Sequence, residues 1–206
     1  MASSSDDHTV KVWDLSSATC AFSHNVGESI VDTIRWDNST DSVLISGSDD
    51  GYLRISDIRD SKEIAAHKCG MKIESFCQDP LNPQQIHASL ENGHIFGIDL
   101  RSGVKTLYDL SVSNKPVTNV ALSPHVKGLI CTSGFDGTMN VYNHNDYGEN
   151  GKPKFVTREF ANQGNLFGGQ FSGDTQLLYT CGSSKGEVVI WTMEDNKPVK
   201  EAFGLK

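Results

Sequence analysis

Residues 46–58 read SGSDDGYLRISDI, and the chain repeats this pattern at nearly constant intervals. In each copy a short run of β-prone residues leads into a tight polar turn, and a second β-prone run follows it. The other copies are SSSDDHTVKVWDL (3–15), SLENGHIFGIDL (89–100), TSGFDGTMNVYNH (132–144) and the less regular CGSSKGEVVIWTM (181–193). Equivalent positions in successive copies are 43, 42, 44 and 49 residues apart. The chain is therefore built from repeats of one unit.

The turns of the last four copies end in glycine. They are Asp50-Gly51, Asn92-Gly93, Asp136-Gly137 and Lys185-Gly186. Glycine accepts the positive φ that a two-residue β-hairpin requires. Two further β-prone runs lie between successive hairpins, which makes four strands per unit, and four strands in about 40–45 residues are typical of a propeller blade. The sequence predicts an all-β propeller of about four full blades plus a partial N-terminal blade, with approximate bounds 1–24 (partial), 25–67, 68–113, 114–162 and 163–206.

Composition excludes several classes of protein. The chain has 18 Lys and Arg against 26 Asp and Glu, a net charge of −8, and 37% hydrophobic residues. An acidic chain is poorly suited to direct nucleic-acid binding, because each neutralised phosphate requires a cation. We find no secretory signal and no run of 18 apolar residues. The five cysteines are widely spaced without a CxxC pair, so we expect reduced thiols in an intracellular protein.

The repeat resembles the WD-repeat family. Trp13-Asp14 is the family's signature dipeptide, and Ser56-Asp57, Ile98-Asp99 and Tyr142-Asn143 stand in register with it. The resemblance implies that a histidine, a strand serine or threonine, the turn aspartate and the tryptophan form a hydrogen-bonded set that ties the blade. The residues that match this set are Trp13, His24, Ser46 or Ser48, Asp50, His67 and Asp136. The set is incomplete in the last blade, where Lys185 stands at the aspartate position.

The sequence carries no pattern that requires catalysis. Serine, histidine and aspartate recur with the blade period, where they satisfy backbone groups at turns, so a hydrolase site is not indicated. No phosphate-binding glycine loop and no HExxH or paired CxxC motif occurs. His87 and His94 flank a turn, and we expect them to pack or to face solvent. We predict no enzyme activity, no cofactor and no metal site.

The resemblance implies that the face of the propeller that carries the hairpin turns binds protein partners. In each copy the residue before the turn position is expected to be exposed there, and in three copies (Asp6, Asp49 and Glu91) it is acidic. The predicted face comprises Asp49, Glu91, Lys115, Phe135, Asn165 and Ser184. Acidic side chains favour basic partners, such as ribosomal proteins or histone tails. Phe135 is either an apolar anchor for a partner or an aromatic residue that packs beside its turn.

Within the WD-repeat family, the order of degenerate blades from SSSDDHTVKVWDL (3–15) to the ending Glu201-Ala202-Phe203-Gly204 is similar to that of a group of nucleolar scaffolds. That resemblance implies a nuclear protein of ribosome biogenesis that acts in large-subunit assembly and rRNA processing. Two alternatives remain open, a substrate receptor of a ubiquitin ligase and a histone-binding chromatin module. The ligase alternative depends on Asp57-Ile58-Arg59 and Asp99-Leu100-Arg101, although the tryptophan that precedes such a motif is absent from both.

Three further expectations concern irregular segments and edges. The insertion at 144–154 (HNDYGENGKPK) is expected to form a loop between the last two strands of its blade. The segment 198–204 (PVKEAFG) is expected to add an outer strand or to trail from the last blade. The unit count leaves the ring open, which predicts either a truncated chain or self-association of exposed blade edges.

Overall fold

The computed structural model describes residues 1–60, 62–101 and 103–205. These residues form five separate antiparallel sheets that follow one another along the chain. We number them as blades one to five. The predicted all-β propeller architecture is confirmed.

Three blades have four strands each. Blade two contains β4 (Val31–Trp36), β5 (Val43–Ser48), β6 (Tyr52–Asp57) and β7 (Lys62–Lys68). Blade three contains β8 (Ile73–Asp79), β9 (Asn82–Leu90), β10 (His94–Asp99) and β11 (Lys105–Ser111). Blade four contains β12 (Asn119–Leu122), β13 (Leu129–Ser133), β14 (Thr138–Tyr147) and β15 (Pro153–Phe160). In each of them the spatial order of the strands is their order along the chain.

The first and last blades have three strands each among the described residues. Blade one contains β1 (Ala2–Ser4), β2 (Thr9–Asp14) and β3 (Thr19–Asn25). Blade five contains β16 (Leu166–Phe171), β17 (Leu178–Ser183) and β18 (Val188–Thr192), and the helix α1 (Lys197–Phe203) follows it.

Glycine at the hairpin turns is a steric requirement in this packing. Gly51 and Gly93 have φ of 76° and 85°, in the left-handed region. A Cβ atom on Gly93 would lie 2.0 Å from the carbonyl oxygen of Ser113, and one on Gly51 would lie 2.8 Å from that of Met71. Those carbonyls belong to the loop that leads into the next blade. The predicted turns therefore bend the chain and also let neighbouring blades approach.

The hydrophobic core lies between the blades. One buried cluster joins Ile45 and Leu53 of blade two to Phe76 and Ile86 of blade three, and all four side chains are fully buried. Each such side chain contributes roughly 1.5–3 kcal/mol relative to its exposed state. A blade on its own would leave one side of this cluster in water, so the blades stabilise one another.

The C-terminal segment differs from its prediction, because 197–203 is helical and adds no strand. The side chain of Asn196 accepts a hydrogen bond from the Val199 N–H at 3.1 Å and caps the helix. Gly204 closes it with φ of 65°. Val199 is fully buried against the core of blades four and five. Among the described residues, no helix has the length and apolar character needed to cross a membrane.

The insertion at 144–154 is also more regular than predicted. Strand β14 runs through it to Tyr147, which pairs with Pro153 at the start of β15. Only residues 148–152 form the turn, closed by a hydrogen bond from Gly148 N–H to the Lys152 carbonyl at 3.0 Å. The expectation of a loop was wrong because the extra residues lengthen a hairpin, and Tyr147 packs edge-on against Tyr108 of blade three.

Candidate interaction face

The residues before the turn positions Asp50, Asn92, Asp136 and Lys185 occupy equivalent places in four blades. Their backbone N–H groups donate to carbonyls of the loops that enter each blade: Asp49 to Ile30, Glu91 to Lys72, Phe135 to Pro116 and Ser184 to Asn165, at 2.8–3.1 Å. Because this geometry repeats, all four residues lie on one end of the propeller. We call Asp49, Glu91, Lys115, Phe135, Asn165 and Ser184 the turn face.

Part of the turn face forms a cleft between blades four and five. Lys115, Phe135 and Asn165 line a cavity of about 220 Å³, together with Phe160 and Asp136. The structure therefore brings together three residues that the sequence places 20 to 50 positions apart. Asn165 also accepts the backbone N–H of Ser184 at 2.8 Å, which sets Ser184 beside the cleft.

Aromatic side chains make the cleft partly apolar. Phe135 packs edge-on against Phe167, with ring centroids 5.3 Å apart. Phe160, which lines the cleft, is 59% exposed, and Phe167 is 45% exposed. Phe135 itself is half-buried. Sequence reasoning missed Phe160 and Phe167, since neither belongs to the repeated hairpin and only the packing of adjacent blades brings them to Phe135.

Asp49 is less available to a partner than the sequence suggests. The Nζ of Lys72 lies 2.9 Å from Asp49 and 3.0 Å from Asp32, so one cation bridges two carboxylates. Contacts with Asp32 and Lys72 lower the pKa of Asp49, whereas burial raises that of Asp32. A basic partner must compete with Lys72 at this point. Glu91, in contrast, is exposed.

The predicted blade-tying set is only partly assembled. The Ser48 hydroxyl donates to Asp50 at 2.6 Å, and Ser46 is buried in the same strand. Among the described residues, no hydrogen bond joins His24 to Asp50 or to either serine. Arg54 donates to both Asp50 and the Ser48 hydroxyl, at 3.1 and 2.6 Å, and so takes the acceptors that a histidine would need.

The remaining members of that set make other contacts. The indole N–H of Trp13 donates to the Ser3 hydroxyl at 2.9 Å, which ties β2 to β1. His67 lies 3.0 Å from the Thr106 hydroxyl and links blade two to blade three. Asp136 accepts hydrogen bonds from the backbone N–H and the hydroxyl of the threonine two positions later. These residues stabilise hairpins and blade contacts.

A basic residue four positions after the turn acid recurs in the first two blades. Lys11 pairs with Asp7 at 2.8 Å, and Arg54 pairs with Asp50. Burial alone would raise the pKa of Asp50, but its hydrogen bonds with Arg54 and Ser48 outweigh burial and lower the pKa to about 2. The sequence signal for this pairing is the charge spacing Asp-x-x-x-Lys or Asp-x-x-x-Arg after each turn.

The two Asp-x-Arg segments have the same local geometry. The Arg59 guanidinium donates to both carboxylate oxygens of Asp57, at 2.6–3.2 Å, and Arg101 binds Asp99 in the same way. The arginine side chains remain 70% and 61% exposed. Each arginine therefore satisfies its neighbouring acid while its outer edge stays accessible.

Away from the turn face, three buried side chains offer metal-ligating atoms. Asp79, His87 and His144 each place one such atom within 4.8 Å of the other two. His87 is fully buried, which agrees with the packing role among the two expected for it. Burial lowers the pKa of His87 to about 3, so its imidazole is neutral.

Comparison with known proteins supports the family resemblance. A family model described as WD domain, G-beta repeat matches residues 1–14. The chain is 26% identical over 205 residues to an uncharacterised WD repeat-containing protein of Schizosaccharomyces pombe, an alignment that covers 98% of this chain and 39% of that protein. It is 24% identical over 221 residues to periodic tryptophan protein 1 of Saccharomyces cerevisiae, covering 98% and 37%.

A periodic tryptophan protein 1 homolog of Drosophila melanogaster is 21% identical over 210 residues, covering 100% of this chain and 45% of the homolog. The chain thus spans about two fifths of the length of these relatives. With five antiparallel sheets in blade order, the chain has an all-β fold consistent with a WD-repeat β-propeller, and along its length it is similar to periodic tryptophan protein 1.

Proposed function

We propose that the chain is a non-catalytic scaffold of ribosome biogenesis, which binds protein partners in the nucleolus during large-subunit assembly and rRNA processing. The similarity to periodic tryptophan protein 1 in yeast and fly supports this role. The WD-repeat fold supports the assignment as a binding scaffold, because repeated blades present loops on one face to which other proteins can bind.

The observation that carries the proposal is the cleft of the turn face. Interface energy concentrates in aromatic anchors at well-packed pockets. Phe135 and Phe160 supply an apolar wall, and the charges of Lys115 and Asp136, which line the same cavity, offset each other. The cleft therefore suits an apolar side chain of the partner.

The net charge of −8 and the exposed Glu91 favour a basic segment around that anchor, because complementary charge steers the encounter. The proposed partner is thus a basic protein segment with one apolar anchor residue. Contact with RNA is assigned to the partners and not to this acidic chain.

Capture from cells tests the proposal. The full-length gene product is tagged and purified at two salt concentrations, and the co-purifying proteins and RNA are identified. We expect pre-rRNA and large-subunit assembly factors, with protein contacts that persist at the higher salt. The variant Phe135→Ala with Glu91→Lys should lose these partners. Leu15→Ala is the matched control, because Leu15 is a 72% exposed apolar residue at the turn between β2 and β3, the opposite end of its blade.

Each alternative predicts a different set of co-purifying proteins. Ubiquitin-ligase adaptors without pre-rRNA, lost on substitution of Arg59 and Arg101, would support the substrate receptor. Histones without pre-rRNA would support the chromatin module. Recovery of the assembly factors by the Phe135→Ala, Glu91→Lys variant at the wild-type level would refute the role given to the turn face.

A further inference from the structure

A buried polar cluster lies between blades three and four. Asp79 is the last residue of β8, His87 belongs to β9, and Tyr108 belongs to β11, so all three come from blade three. His144 comes from β14 of blade four. The exposed fractions are 1%, 0%, 4% and 5% respectively. The imidazole rings of His87 and His144 lie against each other across the blade boundary, with centroids 4.9 Å apart and an angle of 54° between their planes.

Three atoms of this cluster are buried without a hydrogen-bond partner. They are Oδ2 of Asp79, Nε2 of His87 and Nε2 of His144. The Asp79 and His144 atoms approach to 3.3 Å, yet the contact lacks hydrogen-bond geometry. An unpaired buried polar atom destabilises the folded protein, because it has lost its hydrogen bonds to water without gaining others. A ligand shared by these three side chains would satisfy all three atoms.

The neighbouring atoms of two of these side chains are held by hydrogen bonds, which leaves the unpaired atoms free for a ligand. Nδ1 of His87 lies 2.5 Å from the Tyr108 hydroxyl. If Nδ1 donates to that hydroxyl, Nε2 carries the free lone pair and can bind a cation. The other carboxylate oxygen of Asp79 accepts the Leu81 N–H at 2.8 Å, which fixes the carboxylate and leaves Oδ2 free. These are the supporting contacts that protein metal sites use to orient their ligands.

We propose that Asp79, His87 and His144 bind one divalent transition-metal ion, with zinc preferred, and that this ion joins blade three to blade four. Two imidazoles and a carboxylate suit zinc and exclude magnesium and calcium, which take oxygen ligands. Tetrahedral zinc with bonds of about 2.0 Å separates its ligands by about 3.3 Å. The Asp79–His144 separation already equals this value, and His87 needs to approach by at most about 1.5 Å.

A bound water molecule is the competing explanation. A single buried water can also satisfy two or three polar groups. Water and zinc differ in what they do to the whole protein. Only zinc co-purifies in a fixed ratio, is removed by a chelator, and raises the unfolding temperature when it is added back.

The first measurement uses the wild-type full chain without a histidine tag. Metal analysis of protein purified without chelator should find close to one zinc per chain. After chelator treatment, zinc at about 100 times its Kd should raise the Tm by about 5–10 °C. No retained metal and an unchanged Tm on zinc addition would overturn the proposal in favour of water.

Variants locate the ion. Asp79→Asn keeps the acceptor for the Leu81 N–H and should abolish the retained zinc and the Tm rise. Tyr108→Phe should weaken zinc binding by about 10- to 100-fold, because it removes only the group that orients His87. His94→Ala is the matched control, since His94 forms an exposed pair with Asp109 at 2.6 Å and its loss should leave zinc binding unchanged.

Circular dichroism of each zinc-free variant shows whether it folds. Zinc binding that survives in folded Asp79→Asn, or that is lost in His94→Ala, would place the metal elsewhere and refute the site. Cobalt substitution is an independent check, because intense visible bands from the wild-type protein and none from Asp79→Asn indicate a low-coordinate site built from these ligands.

Discussion

Tyr179 connects blades four and five through one hydroxyl, and its removal should measurably destabilise the protein. The side chain is fully buried. The Asn119 amide donates to the Tyr179 hydroxyl at 3.1 Å, and that hydroxyl lies 3.1 Å from the Ser133 hydroxyl. The Ser133 proton is used in a bond to the Gly168 carbonyl at 3.1 Å, so Tyr179 must donate to Ser133.

The size of the destabilisation depends on which hydrogen bonds Ser133 and Asn119 keep when the Tyr179 hydroxyl is removed. In Tyr179→Phe, Ser133 retains its bond to Gly168, and Asn119 retains a bond to the Gly169 carbonyl at 2.9 Å. Neither partner is left without a bond, so the loss is that of two ordinary hydrogen bonds, about 1–2 kcal/mol. For a chain of this length the Tm should fall by about 3–6 °C.

Urea unfolding, followed by tryptophan fluorescence and circular dichroism, measures this free energy of unfolding when both probes give one transition. Tyr52→Phe is the control, because the described residues show no hydrogen bond to its hydroxyl, and we expect a change within about 0.5 kcal/mol. A double-mutant cycle with Ser133→Ala should give a coupling of at least about 0.5 kcal/mol. An unchanged urea midpoint for Tyr179→Phe, or zero coupling in the cycle, would refute the donor assignment and the stabilisation given to these hydrogen bonds.

Three further predictions test the turns, the ion pairs and the helix. Gly93→Ala should lower the free energy of unfolding by more than about 2 kcal/mol, because the new Cβ would lie 2.0 Å from a backbone carbonyl oxygen. Gly151→Ala, where φ is 68° and the space around the Cβ is open, should lower it by only about 1–2 kcal/mol. Urea unfolding measures both values. The pKa of Asp50 is lowered in the folded state to about 2, so its pairing with Arg54 stabilises the protein above pH 4 and is lost as the pH falls toward 2. Asp50→Asn should remove about 1 kcal/mol of that pH-dependent stability, after allowance for solvent screening. If the free energy of unfolding of the variant and of the wild type fell equally between pH 4 and pH 2, this prediction would be contradicted. Asn196→Ala should destabilise by about 1 kcal/mol and Asn196→Gly by only a few tenths, and a thermal scan in which both fall equally would argue against capping.

The hairpins could be predicted because their signals are local. A polar turn with glycine, flanked by β-branched and aromatic residues, specifies a two-stranded unit within about a dozen residues. The positive φ of Gly51, Gly93, Gly137 and Gly186 agrees with this. The period of the repeat then predicts blades that succeed one another along the chain.

The two irregular segments differ from their predicted structures for different reasons. The helix at 197–203 has local end signals, Asn196 before Pro198 and Gly204 after Phe203, but the β-repeat favours a strand at the same place. The extended hairpin at 144–153 has no local signal of comparable strength. In the structure Tyr147 packs against Tyr108, 39 positions away, and a short sequence window does not contain such a contact.

The sequence by itself determined the repeat, the turn positions, the all-β architecture and the acidic character, because each depends on residues that are near one another or on the composition of the whole chain. Only the tertiary structure decided which side chains meet between blades. It brought Phe135 to Phe160 and Phe167, replaced the expected histidine at Asp50 by Arg54, and closed Asp79 and His144 to 3.3 Å across 65 positions. The physical reason is that the twist and spacing of whole sheets decide which side chains of neighbouring blades come into contact. The repeat pattern specifies the strands and turns of each blade but not these contacts.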